Sequence, residues 1–136
     1  ITKAGFSGIK NWLTDSKVSL TDAVSLAIDS NIYVLKSNGQ ILKLFTGKSQ
    51  SFATAGIEPA LNKPTKIYTS LDDKYIYILE PSQKRLVVLD KTGKFIIQYF
   101  SDKFSDLRDF AAVEKNKKIY LLNSQQLYQL EADFIK

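Results

Sequence analysis

Lysine, arginine, carboxylates and tyrosine are the ionisable side chains this 136-residue sequence has to work with, because it contains no histidine and no cysteine. That removes thiolate nucleophiles, disulfide staples, Cys/His zinc sites, histidine general bases and the Ser-His-Asp triad together. Gly47-Lys48-Ser49 matches the end of a phosphate-binding loop, but the first glycine of that pattern belongs at position 42, which is Leu42, so the triplet reads as a strand-connecting turn. Asp72-Asp73 is a carboxylate pair without the further oxygen ligands calcium needs, in a place where aspartate serves a turn. Glu58, Asp109 and Glu114 have no spacing that converges two carboxylates on one substrate; only a fold that gathers distant acids would pair them. No metal and no cofactor is expected.

The basic side chains are the other chemical resource. Lysine and arginine number 19 against 14 acids, giving a net charge of +5 and favouring anionic partners. Lys84, Arg85, Lys103, Phe104, Arg108 and Phe110 combine cations with aromatics, the mixture an anion-binding rim requires. The structural reading is that scattered lysines solubilise turns and strand ends.

The elements that must position these groups repeat. Ile32-Tyr33-Val34-Leu35, Ile76-Tyr77-Ile78-Leu79 and Ile119-Tyr120-Leu121-Leu122 recur at offsets of 44 and 43 residues. Each run is followed across a polar turn by a second apolar run, at Ile41–Phe45, Leu86–Leu89 and Leu127–Leu130, and so reads as a hairpin. Each hairpin is preceded by another apolar stretch, near residues 23–28, 66–71 and 109–113. Fourth strands are expected at 51–55 and 94–100, whereas the third unit runs out at 132–136. Antiparallel strand groups at this period predict an all-β chain of three propeller blades, half of a six-bladed ring. Tyr33, Tyr77 and Tyr120 are expected to fill the space between blades with their bodies and hold their hydroxyls at an edge.

The second unit, from Tyr75 to Phe95, resembles the repeat of NHL-type six-bladed propellers: an Ile-Tyr-Val strand, a polar turn ending in arginine (Arg85), a Val-rich strand, then Asp90 and Gly93 before a fourth strand. Asp29 to Val34 resembles the start of the same unit, and Glu80 and Pro81 replace the small residues usual there. The chain also resembles terminal half-propellers of multidomain bacterial proteins. The resemblance implies a binding scaffold, since NHL-type propellers include protein-binding and RNA-binding members.

Three blades leave an apolar face at each end, and a ring takes four to eight. Two copies of the chain supply six blades about a twofold axis, with junctions expected to bury at least ~2,000 Å²; alternatively, upstream sequence provides the missing blades. Methionine is absent, so Ile1 is read as lying within a longer protein, and residues 1–6 lack the pattern of a secretory signal. Residues 1–21 read as a connector or closing strand. There Phe6, Ile9, Trp12 and Leu13 have partly helical spacing, Gly5 and Gly8 oppose a helix, and Lys17–Leu20 predicts a short strand. The blades are placed at 22–64, 65–107 and 108–136.

The expectation is a soluble, non-catalytic binding and assembly module that contacts protein through its loop face, with Lys36, Asn38, Lys63, Lys84, Arg85, Lys103 and Arg108 as the candidate binding residues and Trp12 and Phe134 at assembly contacts. Self-association or upstream blades complete the ring, nucleic acid is a less favoured partner, and no segment is apolar enough to insert in a membrane. The alternatives are a lactonase-like propeller hydrolase and a polyanion- or RNA-binding propeller.

Overall fold

The computed structural model describes residues 8–136. Strands β1 (Ala23–Ile28), β2 (Ile32–Lys36), β3 (Ile41–Phe45) and β4 (Lys48–Gln50) form blade one; β5 (Lys66–Tyr68), β6 (Tyr75–Glu80), β7 (Arg85–Asp90) and β8 (Phe95–Phe100) form blade two; β9 (Leu107–Val113), β10 (Lys118–Asn123) and β11 (Leu127–Glu131) form blade three. Each sheet is an antiparallel meander in chain order, and the third has three strands, as the shortness of its last segment requires.

The repeat read from sequence is the repeat of the structure. Tyr33 stands opposite Ala27 and Lys43, Tyr77 opposite Tyr68 and Val88, and Tyr120 opposite Ala111 and Gln129, so the three tyrosines hold one register position. Strand alternation then sends Tyr and the following Leu to one face of each blade and the flanking aliphatics to the other. The core follows: Tyr33, Leu35 and Ile41 of blade one meet Ile67, Ile76 and Ile78 of blade two, while Tyr77, Leu79 and Leu86 of blade two meet Phe110, Ile119 and Leu121 of blade three. Blade two is covered on both faces, which is why β6 and β7 are almost wholly apolar.

Turn chemistry sets the hairpins. Gly39 adopts φ +94° in the β2–β3 turn, and a Cβ there would lie 2.7 Å from that of Leu61, so both conformation and contact require glycine. Asp90 closes the β7–β8 turn by accepting the Thr92 N–H at 2.8 Å.

Four features depart from expectation. The fourth strand of blade one is Lys48–Gln50 rather than 51–55, because Thr46 and Gly47 at positive φ close a tight turn that pairs Lys48 directly with Phe45. Residues 51–55 instead cross to blade two, where Ala55 bridges Lys94 in parallel. Strand β5 stops at Tyr68, short of residue 71. Lys17–Leu20 forms no strand, since Thr14 and Asp15 donate to the Gly47 carbonyl at 2.9 and 3.2 Å and the Asp15 carboxylate accepts from Ser49, which pins this stretch to the β3–β4 turn of its own blade. Gly5 and Phe6 lie outside the described residues.

Candidate functional site: the loop face

The meander puts the β2–β3, β6–β7 and β10–β11 turns on one face of the chain, together with the crossovers 51–65 and 101–106 as they reach the next inner strand. Backbone contacts knit these loops. The Lys63 N–H donates to the Ser37 carbonyl at 2.8 Å, the Ser101 N–H to the Lys84 carbonyl at 3.4 Å, and the Asp106 N–H to the Asn123 side chain at 2.8 Å.

A buried ion pair holds the longer crossover in place. Glu80 and Arg85 end adjacent strands and face each other in register, with both side chains excluded from solvent. The Arg85 fork donates to the Glu80 carboxylate, the Gln98 side chain at 2.7 Å and the carbonyls of Glu58 and Pro59 at 3.3 and 2.6 Å. Glu80 in turn accepts the Asn62 N–H and the Gln83 side chain. Every donor of this network has a partner, the condition under which an enclosed ion pair is tolerated.

Arg85 therefore does not line the recognition surface. Its sequence position at the end of a turn suggested exposure, but cross-strand pairing with Glu80 turns it inward. Lys36 is half-buried at the end of β2, whereas Asn38, Lys63, Lys84, Lys103 and Arg108 are exposed. The Asn38 side chain accepts the Gln40 N–H and so serves its turn. Arg108 is engaged by Asp106 at 2.8 Å. Lys63 and Lys84 sit at left-handed positions, φ +58° and +54°, that fix where their side chains leave the chain. Lys84 borders a pocket of about 230 Å³ with Gln83, exposed Phe100, Ser101 and Asp102, and Asn38 borders another of about 320 Å³ under the crossover.

The assembly candidates land differently. Trp12 is exposed beside blade one and fills no junction between the blades of this chain. Phe134 is packed edge-on to Tyr75 at 4.9 Å, so it closes the junction between blades two and three within this chain.

The opposite face carries charge in stitching roles. Lys91 bridges Asp29 at 2.6 Å and the Ser70 carbonyl at 3.2 Å, joining blades one and two. Burial raises the Asp29 pKa, but Lys91 and the Asn31 N–H outweigh it and hold the carboxyl below its ordinary value. Glu114 accepts from the Lys74 and Tyr75 N–H groups and from the Tyr77 hydroxyl. Asp109 lies instead on an inner strand, ion-paired with Lys66, and Glu58 lies on the loop face. The three acids singled out from sequence are thus kept apart, and among the described residues no three acidic side chains group to hold a cation.

Solved structures place this arrangement among known folds. A chain of a nidogen/laminin complex superposes with a TM-score of 0.62 at 14% identity, covering 84% of this chain and 46% of that one. The fold is that of a β-propeller. This propeller segment also matches Hsv2 of Kluyveromyces lactis (TM-score 0.54, 14% identity, 81% of this chain and 32% of that one) and virginiamycin B lyase of Staphylococcus aureus (0.53, 15%, 79% and 40%). It spans less than half the length of each of these structures. No protein-family model and no curated protein sequence matches it.

Proposed function

We propose that this segment is a non-catalytic binding and assembly module of the NHL-like propeller type, which recognises a protein partner with its loop face and completes its ring through its blade ends. The observation that carries the reading is the fixed loop face itself. Exposed Lys63, Lys84 and Lys103 stand on loops immobilised by the Glu80–Arg85 network and by crossover contacts, with the exposed Phe100 ring beside Lys84. A rigid scaffold that presents cations around an apolar anchor is suited to binding with little ordering cost. The one described carboxylate on the inner strands, Asp109, is occupied by Lys66, which favours binding over metal-assisted hydrolysis. Among the matched structures, one is a complex of two proteins and another is a lyase.

Photo-crosslinking from positions 63, 84 and 103 tests the reading, with position 115, exposed in the β9–β10 turn on the opposite face, as the control. Protein adducts specific to the loop positions are expected. RNA adducts there favour a polyanion-binding propeller, and the absence of loop adducts overturns the proposal.

A further inference from the structure

Both internal junctions use one rule, and the two ends of the chain are the unmatched halves of it. At the junction of blades two and three, Leu79 and Leu86 are fully buried, and Tyr77 packs on Phe110 with ring centroids 6.3 Å apart. The residues of blade three at the registers of Leu79 and Leu86 are Leu122 and Leu127, which are 43% and 69% exposed. Tyr120, at the register of Tyr77, shares a shallow pocket of about 200 Å³ with them, and its hydroxyl has no hydrogen-bond partner among the described residues. Blade one shows the reciprocal defect. Leu26 pairs with Val34 as Ile67 pairs with Ile78 and Phe110 with Leu121; Ile67 and Phe110 are 2% and 6% exposed, but Leu26 is 64% exposed, with Ile28 beside it.

We propose that a second copy of this chain seats its blade one on the blade-three face formed by Tyr120, Leu122 and Leu127, and that the reciprocal contact closes the ring. This deepens the assembly half of the proposed function and rests on it. One copy satisfies both defects at once, because the exposed Tyr/Leu face and the exposed Leu26/Ile28 face are the two sides the internal junctions bring together. Two identical contacts about a twofold axis bury both, and the resulting six blades fall within the range at which propellers close. A contact of like faces would instead set Leu26 on Leu26 and leave Tyr120 open.

Variants of the 136-residue chain separate these outcomes. Leu26→Asp with Ile28→Asp removes one side, and Leu122→Asp with Leu127→Asp removes the other; all four side chains are exposed, so each protomer keeps its fold, checked by circular dichroism. Light scattering at micromolar concentration is expected to give a dimer for the parent chain, a monomer for each variant, and a 1:1 heterodimer on mixing the two variants through their one intact junction. A monomeric parent overturns the proposal and assigns the faces to other blades of a longer protein. A variant that remains a homodimer overturns it in favour of a like-face contact. Failure here leaves crosslinking at Lys63, Lys84 and Lys103 unaffected, so it is distinguishable from failure of the loop-face reading.

Discussion

The Tyr77 hydroxyl donates to the Glu114 carboxylate at 2.8 Å across the junction of blades two and three, and the same carboxylate accepts the N–H groups of Lys74 and Tyr75. One acid of blade three thus caps the start of β6 and fixes the tyrosine wedged between the blades. Tyr77→Phe removes one donor and keeps the ring, and is expected to cost about 1 kcal/mol; Glu114→Ala leaves three donors without their acceptor and is expected to cost about 2 kcal/mol. Urea unfolding with unchanged slope checks the order, and a larger loss for Tyr77→Phe refutes it.

The tyrosines also predict alkaline behaviour. Burial, then the Asp29 charge, push Tyr33 up to about 12, and burial with the Glu114 hydrogen bond raises Tyr77 far above its ordinary range. An unfolded tyrosine ionises near ~10, so above that pH the unfolded chain releases protons that the folded chain retains. Stability is expected to be whole below pH ~10 and to fall as the pH climbs towards the folded value. Phenolate absorbance should fall short of the full seven tyrosines until the circular-dichroism signal of the strands is lost. Seven phenolates in a chain with intact strands would contradict this.

Arg85 shows why the fold was more legible than the site. Periodicity is local and repeats, so Tyr33, Tyr77 and Tyr120 exposed the register; burial of a charge depends on what a crossover from another blade brings to it. The signal for Arg85 was its partner. Glu80 stands where the resembled repeat has a small residue, and a carboxylate facing an arginine across a hairpin marks an inward pair. Lys48–Gln50 is a polar edge strand with no apolar alternation to mark it in the sequence. Lys91 and Asp29 are 62 residues apart, and nothing in their spacing announces their contact.

Arg85→Ala is accordingly expected to cost about 3–5 kcal/mol, since it leaves Glu80 charged and enclosed. Arg85→Lys is expected to restore little, because an ammonium cannot reproduce the fork that reaches Glu80, Gln98 and two carbonyls. Lys84→Ala, next to it in sequence and exposed, should change stability by less than about 0.5 kcal/mol. Thermal unfolding of the three variants checks the contrast, and equal stability of Arg85→Ala and Lys84→Ala would sink it.

The Lys91 clamp makes an acid-side prediction. The folded Asp29 carboxyl is held below its ordinary value, so its stabilisation is present above the unfolded value near ~3.9 and is lost as the pH falls through the lower folded value. Lys91→Met removes the cation that outweighs burial. The melting temperature of the parent chain is expected to exceed that of Lys91→Met at neutral pH, and the gap to shrink below pH ~4. A gap that widens on acidification would contradict the assignment.

The loop face makes the prediction closest to function. Replacing Lys63, Lys84 and Lys103 together with alanine removes three exposed cations and none of the backbone contacts that hold the loops, so fold and association state should not change. Binding to a protein partner should weaken, chiefly through faster dissociation and with a shallow dependence on salt, because the Phe100 pocket supplies an apolar anchor as well as charge. A polyanion ligand would respond differently: each lost phosphate contact flattens the salt slope by about 0.7–0.9. Surface plasmon resonance of the parent and triple variant over a salt series, against the crosslinked partner and against single-stranded RNA, separates the two. Turnover of a lactone by the purified chain with added divalent cation, abolished by Asp109→Asn and untouched by the triple lysine variant, would overturn the binding-module reading altogether.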